Sequence, residues 1–199
     1  NADIVAPWIA AIEEVQAPLA GIYLLPIVSQ LLLRMLGLRS PDLLLMTRQS
    51  SGLRQTYFSG GNLRVSRLTP LADMDEREIE QLYANETEKT RLYLISLRMI
   101  TRDTRLQLAF PTVQAVNEQF CALQGSQGVD CAIIGAQRLA QRSGLDPALL
   151  HQYPAILHMH ALACHRPTGN LSSSAPTRPL TLHQRRPLPY SAPPPTLPV

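Results

Sequence analysis

The chain has 199 residues, 45% of them hydrophobic, so it is long enough to bury a sizeable core and suggests one ordinary domain with room for an appendage. Its formal charge of +3 is unevenly spread: residues 166–199 hold Arg166, Arg178, Arg185 and Arg186 and no acid, which leaves residues 1–165 at −1, with 14 bases against 15 acids. A near-neutral body argues against wholesale nucleic-acid binding.

Residues 3–15, DIVAPWIAAIEEV, have the spacing of an amphipathic helix with Trp8, Ile12 and Val15 on one side. Residues 20–25, AGIYLL, read as a short buried strand. Pro26 in a first helical turn then opens IVSQLLLRML, and Gly37 stands where the residue after a helix C-terminus belongs. A membrane span over residues 17–33 is disfavoured, because Pro18, Gly21, Pro26, Ser29 and Gln30 interrupt the roughly 20 apolar residues that a crossing needs. No signal-peptide pattern is visible, and the opening Asn-Ala, in place of Met, reads as the start of an excised piece.

The stretch 41–70, PDLLLMTRQSSGLRQTYFSGGNLRVSRLTP, parses as a meander of three strands. Asp42–Arg48 carries the apolar run Leu43, Leu44, Leu45 and Met46, suited to a strand covered on both faces. Gly52–Phe58 alternates, with Leu53, Gln55 and Tyr57 on one side and Arg54, Thr56 and Phe58 on the other. Asn62–Leu68 alternates too, and Gly60-Gly61 supplies the positive φ angles of a two-residue hairpin turn. Between Asp42 and Asp73 there is no acid but four arginines, Arg48, Arg54, Arg64 and Arg67. They form the solvated rim of a sheet or, on the sharper reading, a site in which Arg54, Arg64 and Arg67 take an acidic peptide or a phosphate.

Asp73 or Asp75 is placed to cap a long helix with an acidic first turn, and its apolar stripe runs from Ile79 to Ile100. The polar stretch NETEKTR, residues 85–91, breaks that stripe and is expected to bend or to face solvent, the alternative being that it lines a cleft. Arg105–Phe110 reads as a strand closed by Pro111, residues 113–123 as a helix and residues 129–135 as a further strand. Helical signals resume over 136–143 and from Asp146-Pro147 through Cys164. Gly125 and Gly128 mark a plain turn, since no Lys-Ser/Thr follows as a phosphate loop requires.

Cys121, Cys131 and Cys164 are odd in number and lack zinc spacing, so three free thiols in a reducing compartment are expected, with a Cys121–Cys131 bridge as the alternative. His158, His160, Cys164 and His165 are read as ordinary helix residues: only His160 and Cys164 share a face, and no second ligand pair accompanies them. Neither a metal site nor a catalytic residue is expected. Ser50-Ser51 lacks the Gly-x-Ser-x-Gly elbow of a nucleophile. Residues 166–199, nine of them proline, have no periodic apolar face and are assigned as a linker or strap.

The element order from Asp42 is strand, strand, strand, long helix, strand, helix, strand, helix. It implies an α/β fold in which a three-strand meander plus two crossover strands make a mixed five-stranded sheet with helices on both faces. This order resembles the ribonuclease-H-like fold and one lobe of the actin, Hsp70 and sugar-kinase superfamily, and AGIYLLPIVSQLLLRML is similar to the strand and helix that enter such a lobe. More particularly, residues 20–165 resemble the actin-like cytoplasmic proteins of bacterial type IV pilus and type II secretion assembly, whose meander precedes a long helix and whose lobe ends in a helix like AILHMHALA. The division is then 1–40 as a lead-in, 41–165 as the actin-like domain and 166–199 as a Pro-rich tail.

That resemblance implies protein partners that are membrane-associated assembly components, a cytoplasmic place at the inner face of a membrane, and room for a homodimer, without nucleic acid. It also implies where ATP and Mg would sit if bound: the first hairpin turn with Gln49, Ser50, Ser51 and Gly52, and Glu86 with Lys89 (and Thr90) on the long helix. The departures point to lost chemistry. The turn Thr47–Gly52 lacks the family's Asp-x-Gly, and Phe110-Pro111-Thr112 replaces a Gly-Gly pair, with a proline that has no N–H to offer. A nuclease is disfavoured as well, since the first strand past Asp42 carries no carboxylate to hold metal ions. The expectation is a non-catalytic scaffold; the alternative is an ATP-binding lobe whose other lobe lies outside this chain.

Overall fold

The computed structural model describes residues 2–17, 21–71, 76–114, 116, 118–126, 128–153 and 155–165. The Pro-rich stretch and the expected capping residues Asp73 and Asp75 lie outside them.

Strands β1 (Asp42–Gln49), β2 (Gly52–Ser59) and β3 (Asn62–Thr69) form the meander, with two-residue turns at Ser50-Ser51 and Gly60-Gly61. At the second turn both glycines have positive φ, 56° and 77°, as a turn matched to strand twist requires. Strands β4 (Leu106–Pro111) and β5 (Val129–Ile134) complete a mixed sheet of order β3-β2-β1-β4-β5, β4 running parallel to β1 and β5 parallel to β4. The α/β class and the five-stranded sheet therefore stand as expected. Because β1 is central, Leu44 and Met46 enter one core while Leu43 and Leu45 enter the other, which is why its apolar run is continuous.

One face of the sheet is covered by α3 (Glu76–Ser96) and α4 (Glu118–Ser126), through Ile79, Tyr83, Ala84, Leu94 and Phe120. The other is covered by α2 (Leu25–Met35), α5 (Ala136–Ser143), α6 (Pro147–Gln152) and α7 (Ile156–Cys164). Pro26 stands in the first turn of α2, and the helix closes as read: Gly37 has φ 61°, its N–H bonds the Arg34 carbonyl and the Leu38 N–H bonds that of Leu33. Asp146 caps α6 by accepting from the Ala148 N–H at 2.8 Å.

Four expectations are corrected. Residues 21–24 form no strand, and Ile22, Tyr23 and Leu24 are exposed; the helix claims Leu25 and leaves too short a run to join a sheet. The helix α1 (Ala2–Glu14) forms, but Trp8 and Val15 of its expected apolar side are each 72% exposed. The helix expected over 113–123 begins only at Glu118. The continuous helical signal to Cys164 is split into α6 and α7 at Tyr153, whose backbone leaves the helical region (φ −133°, ψ 77°), as a residue preceding proline prefers. No helix among the described residues is long and apolar enough to cross a membrane.

Candidate functional site

The polar stretch 85–91 faces solvent only in part: Asn85 and Lys89 are exposed, whereas Glu86, Thr87 and Thr90 are buried. Helix α3 turns Ile79, Tyr83, Glu86, Thr87, Thr90 and Leu94 toward the sheet, so the polar residues occupy the middle of its buried stripe. Opposite them stand Gln55 of β2, on the same side as Leu53 and Tyr57, and its cross-strand partner Arg67 of β3. A buried polar surface survives on one face only if it finds a complementary one, and here it does.

Glu86 is 3% exposed. One carboxylate oxygen accepts from Arg67 Nη2 at 3.0 Å and Thr69 Oγ1 at 2.9 Å; the other accepts from Lys89 Nζ at 2.7 Å. Burial pushes its pKa up, but the hydrogen bonds from Lys89 and Thr69 and the charges of Arg67 and Lys89 outweigh it, and the net shift is downward. Beside it a directional run of donors crosses the interface. Arg67 Nη1 donates to Thr90 Oγ1 (3.0 Å), Thr90 to Gln55 Oε1 (2.6 Å), Gln55 Nε2 to Thr87 Oγ1 (3.3 Å), and Thr87 to the Tyr83 carbonyl (2.8 Å). The carboxylate is held as a structural anion, and each hydroxyl hydrogen in the run is already committed.

The turn Gln49–Gly52 adjoins this cluster through one residue. Gly52 has φ 134°, and a Cβ there would stand 2.2 Å from the carbonyl oxygen of Thr69, the residue whose hydroxyl reaches Glu86. The late glycine of the turn is thus required by the approach of β3. The structure brings Gly52, Thr69 and Glu86 together but separates the rest of the expected nucleotide contacts. Gln49 lies on the opposite face from Glu86 and Lys89, where its Oε1 accepts from Arg54 Nε at 3.2 Å and its amide donates to Thr47 Oγ1 at 3.4 Å. Ser50 and Ser51 are exposed at the tip. The sheet itself stands between the two halves of that set.

The arginines disperse in the same way. Arg67 belongs to the α3 face, Arg54 to the α2 and α7 face, and Arg64 is the exposed extra residue of a β-bulge where Tyr57 pairs Val65 and Phe58 pairs Leu63. Arg48 donates to Gln114 Oε1 at 2.6 Å. They form no single patch for an anion.

On the α2 and α7 face lies a second polar cluster. His158 of α7 is 7% exposed, and its Nε2 lies 3.3 Å from Ser29 Oγ of α2, which donates to the Leu25 carbonyl. Desolvation, helped by the charge of Arg54, lowers its pKa to about 4. Arg54 Nη1 donates to Ser66 Oγ (3.3 Å), which in turn lies 3.1 Å from Thr56 Oγ1. His158 is a neutral core histidine, and His160 and Cys164 share a face with sulfur-to-nitrogen separations of 3.4 and 3.8 Å. Among the described residues no group of His, Cys, Asp or Glu is arranged to hold a metal ion.

The thiol expectation is overturned. Cys121 of α4 and Cys131 of β5 form a disulfide, with Cα atoms 5.2 Å apart, and only Cys164 is free. The packing of α4 directly on β5 supplies a separation that suits the bond. The inference from an odd count to a reducing compartment loses its premise.

Sequence reasoning missed Gln55, Thr69 and Thr87 as members of the buried cluster. One signal was present: Gln55 falls between Leu53 and Tyr57 on a core-facing side, and a polar residue there demands a partner. The chain matches no protein-family model and no curated protein.

Proposed function

We propose that this chain is a non-catalytic assembly protein built on an actin-like lobe of ribonuclease-H-like strand order, in which the nucleotide site has been converted into internal structure. The antiparallel meander followed by two parallel strands, in the order β3-β2-β1-β4-β5, supports the lobe. The observation that carries the loss of nucleotide chemistry is the engagement of Glu86 by Arg67, Thr69 and Lys89, next to a first turn whose glycine is taken up by the Thr69 carbonyl. Pro111, paired with Ile134 at the end of β4, brings no N–H to the place where the ATP-binding proteins it resembles have a Gly-Gly pair.

Its role is to hold segments of partner proteins in a bacterial pilus- or secretion-type machine. The Cys121–Cys131 bond weighs against the cytoplasmic side of that expectation, because structural disulfides belong to oxidising compartments.

The alternative is an ATP-binding lobe completed by a second lobe, favoured by one fact: Gly52 and Glu86 meet through Thr69. Thermal unfolding with and without Mg-ATP separates the two. A ligand at ~100 times its Kd stabilises a native state by about 2.7 kcal/mol; the scaffold reading expects no change, and a saturable rise in Tm overturns it.

A further inference from the structure

We propose that Cys164 and His160, one turn apart on α7, form a reactive thiol site that takes up a small disulfide and keeps it as a mixed disulfide. With Cys121 and Cys131 bonded to each other, Cys164 is the free cysteine of the chain, and it is exposed. His160 is half-buried beside it, at the i, i+4 spacing that sets two side chains over one face of a helix. The Cys164 Sγ lies 3.4 Å from Nε2 and 3.8 Å from Nδ1 of the imidazole.

A third group sets the ring. The carbonyl of Ser143, the last residue of α5, stands 2.8 Å from His160 Nε2. Carbonyls of a last turn have no partner inside their own helix, and a carbonyl can only accept, so Nε2 carries the hydrogen. In the neutral ring Nδ1 is then the acceptor, which gives the thiol hydrogen a place to go. Nucleophile, base and orienting group are thus all present. The helix end adds a bias: at Cys164, the last residue of α7, the dipole disfavours a bare thiolate and favours a cation. An imidazolium at His160 meets that preference, so the base activates the sulfur.

The ligand class follows from the other two cysteines. A structural Cys121–Cys131 bond places the chain where oxidised thiols persist, so small disulfides are the electrophiles at hand. The exchange balances without a further oxidant. Sγ gives its proton to Nδ1 and attacks one sulfur of the incoming disulfide, and a new S–S bond forms as the old one breaks. The departing thiolate takes the proton from Nδ1, which leaves one mixed disulfide and one free thiol. Cys121 and Cys131 do not resolve that product: they pack on the α3 and α4 side of the sheet, whereas Leu157 and Ala161 of α7 pack on the other. The site is one of modification, and it stands independently of the scaffold reading.

The test is the release of thionitrobenzoate from dithiobis-nitrobenzoate by the full chain at neutral pH, with the adduct from oxidised glutathione located by peptide mass spectrometry. The native chain should react about tenfold faster than free glutathione, and His160→Gln should lose most of that advantage. A loosened helix would expose the sulfur and speed the reaction, so slowing reports the lost base. In guanidinium chloride the two proteins should react alike, and Cys164→Ser should not react. Melting curves confirm that the variants fold, and the comparison with glutathione needs no variant. A native rate equal to that of glutathione, an unchanged or faster rate in His160→Gln, or an adduct on Cys121 or Cys131 in place of Cys164 overturns the proposal. So does a covalent dimer through Cys164 as the main product.

Discussion

Acidification from pH 7.5 to 5 tests the interior through a single side chain. His158 sits between α7 and α2 with its Nε2 3.3 Å from Ser29 Oγ, and burial, with Arg54 adding repulsion, lowers its pKa from 6.5 to about 4. The unfolded chain therefore binds a proton below about pH 6.5 that the native state refuses until about pH 4. The sign is fixed: stability is complete above the unfolded value and is lost as pH falls between the two. Each tenfold change in proton affinity is worth about 1.4 kcal/mol, so the full loss is about 3 kcal/mol, of which about 2 kcal/mol has appeared by pH 5. His158→Gln keeps a group able to reach Ser29 Oγ but does not titrate. Urea unfolding of both proteins at pH 7.5 and pH 5 isolates the effect, because all other titrations are common to the pair. The stability advantage of the parent at pH 7.5 should shrink by about 2 kcal/mol at pH 5. Parallel pH profiles, with constant m-values, would refute the assignment of a buried neutral imidazole.

Gly52→Ala should lower stability by more than about 3 kcal/mol, since positive φ costs about 1–2 kcal/mol alone and the new Cβ would also stand 2.2 Å from the Thr69 carbonyl; Gly60→Ala, with nothing within 4 Å, should show only the conformational cost in the same denaturant melts. An equal effect at the two sites would contradict the close approach of β3. Glu86→Ala strips Arg67 and Lys89 of their shared anion and leaves Thr69 without its acceptor, at a cost of about 2–3 kcal/mol, discounted because both cations reach solvent. A loss below about 0.5 kcal/mol would mean that the pair behaves as a surface ion pair. Reducing the Cys121–Cys131 bond, which spans a sequence separation of 10, should cost about 2.7 kcal/mol by loop closure, read as a fall in Tm on adding a phosphine reductant. The same Tm with alkylation of all three cysteines would remove the bond from the structure's support.

The amino-acid sequence by itself determined the strands, their turns and the class of fold. A run such as Leu43–Met46 can only be buried twice over, Gly60-Gly61 dictates a tight turn, and Pro26 with Gly37 brackets a helix; each signal is local, and local sterics decide it. Residues 20–25 show the limit of that logic, because an apolar run becomes a strand only where a sheet edge accepts it. The tertiary structure alone decided the fate of the polar groups. Whether 85–91 faced water or the core depended on Gln55, Arg67 and Thr69 arriving from strands 17 to 35 residues earlier, separations set by the sheet register. The same holds for Cys121 and Cys131, which meet because α4 packs on β5. It holds too for the arginines, which alternation and a bulge send to different faces although they cluster in the chain. Hydrophobic burial reads from one segment at a time, whereas a hydrogen bond or an ion pair needs two segments, and only the folded chain says which two.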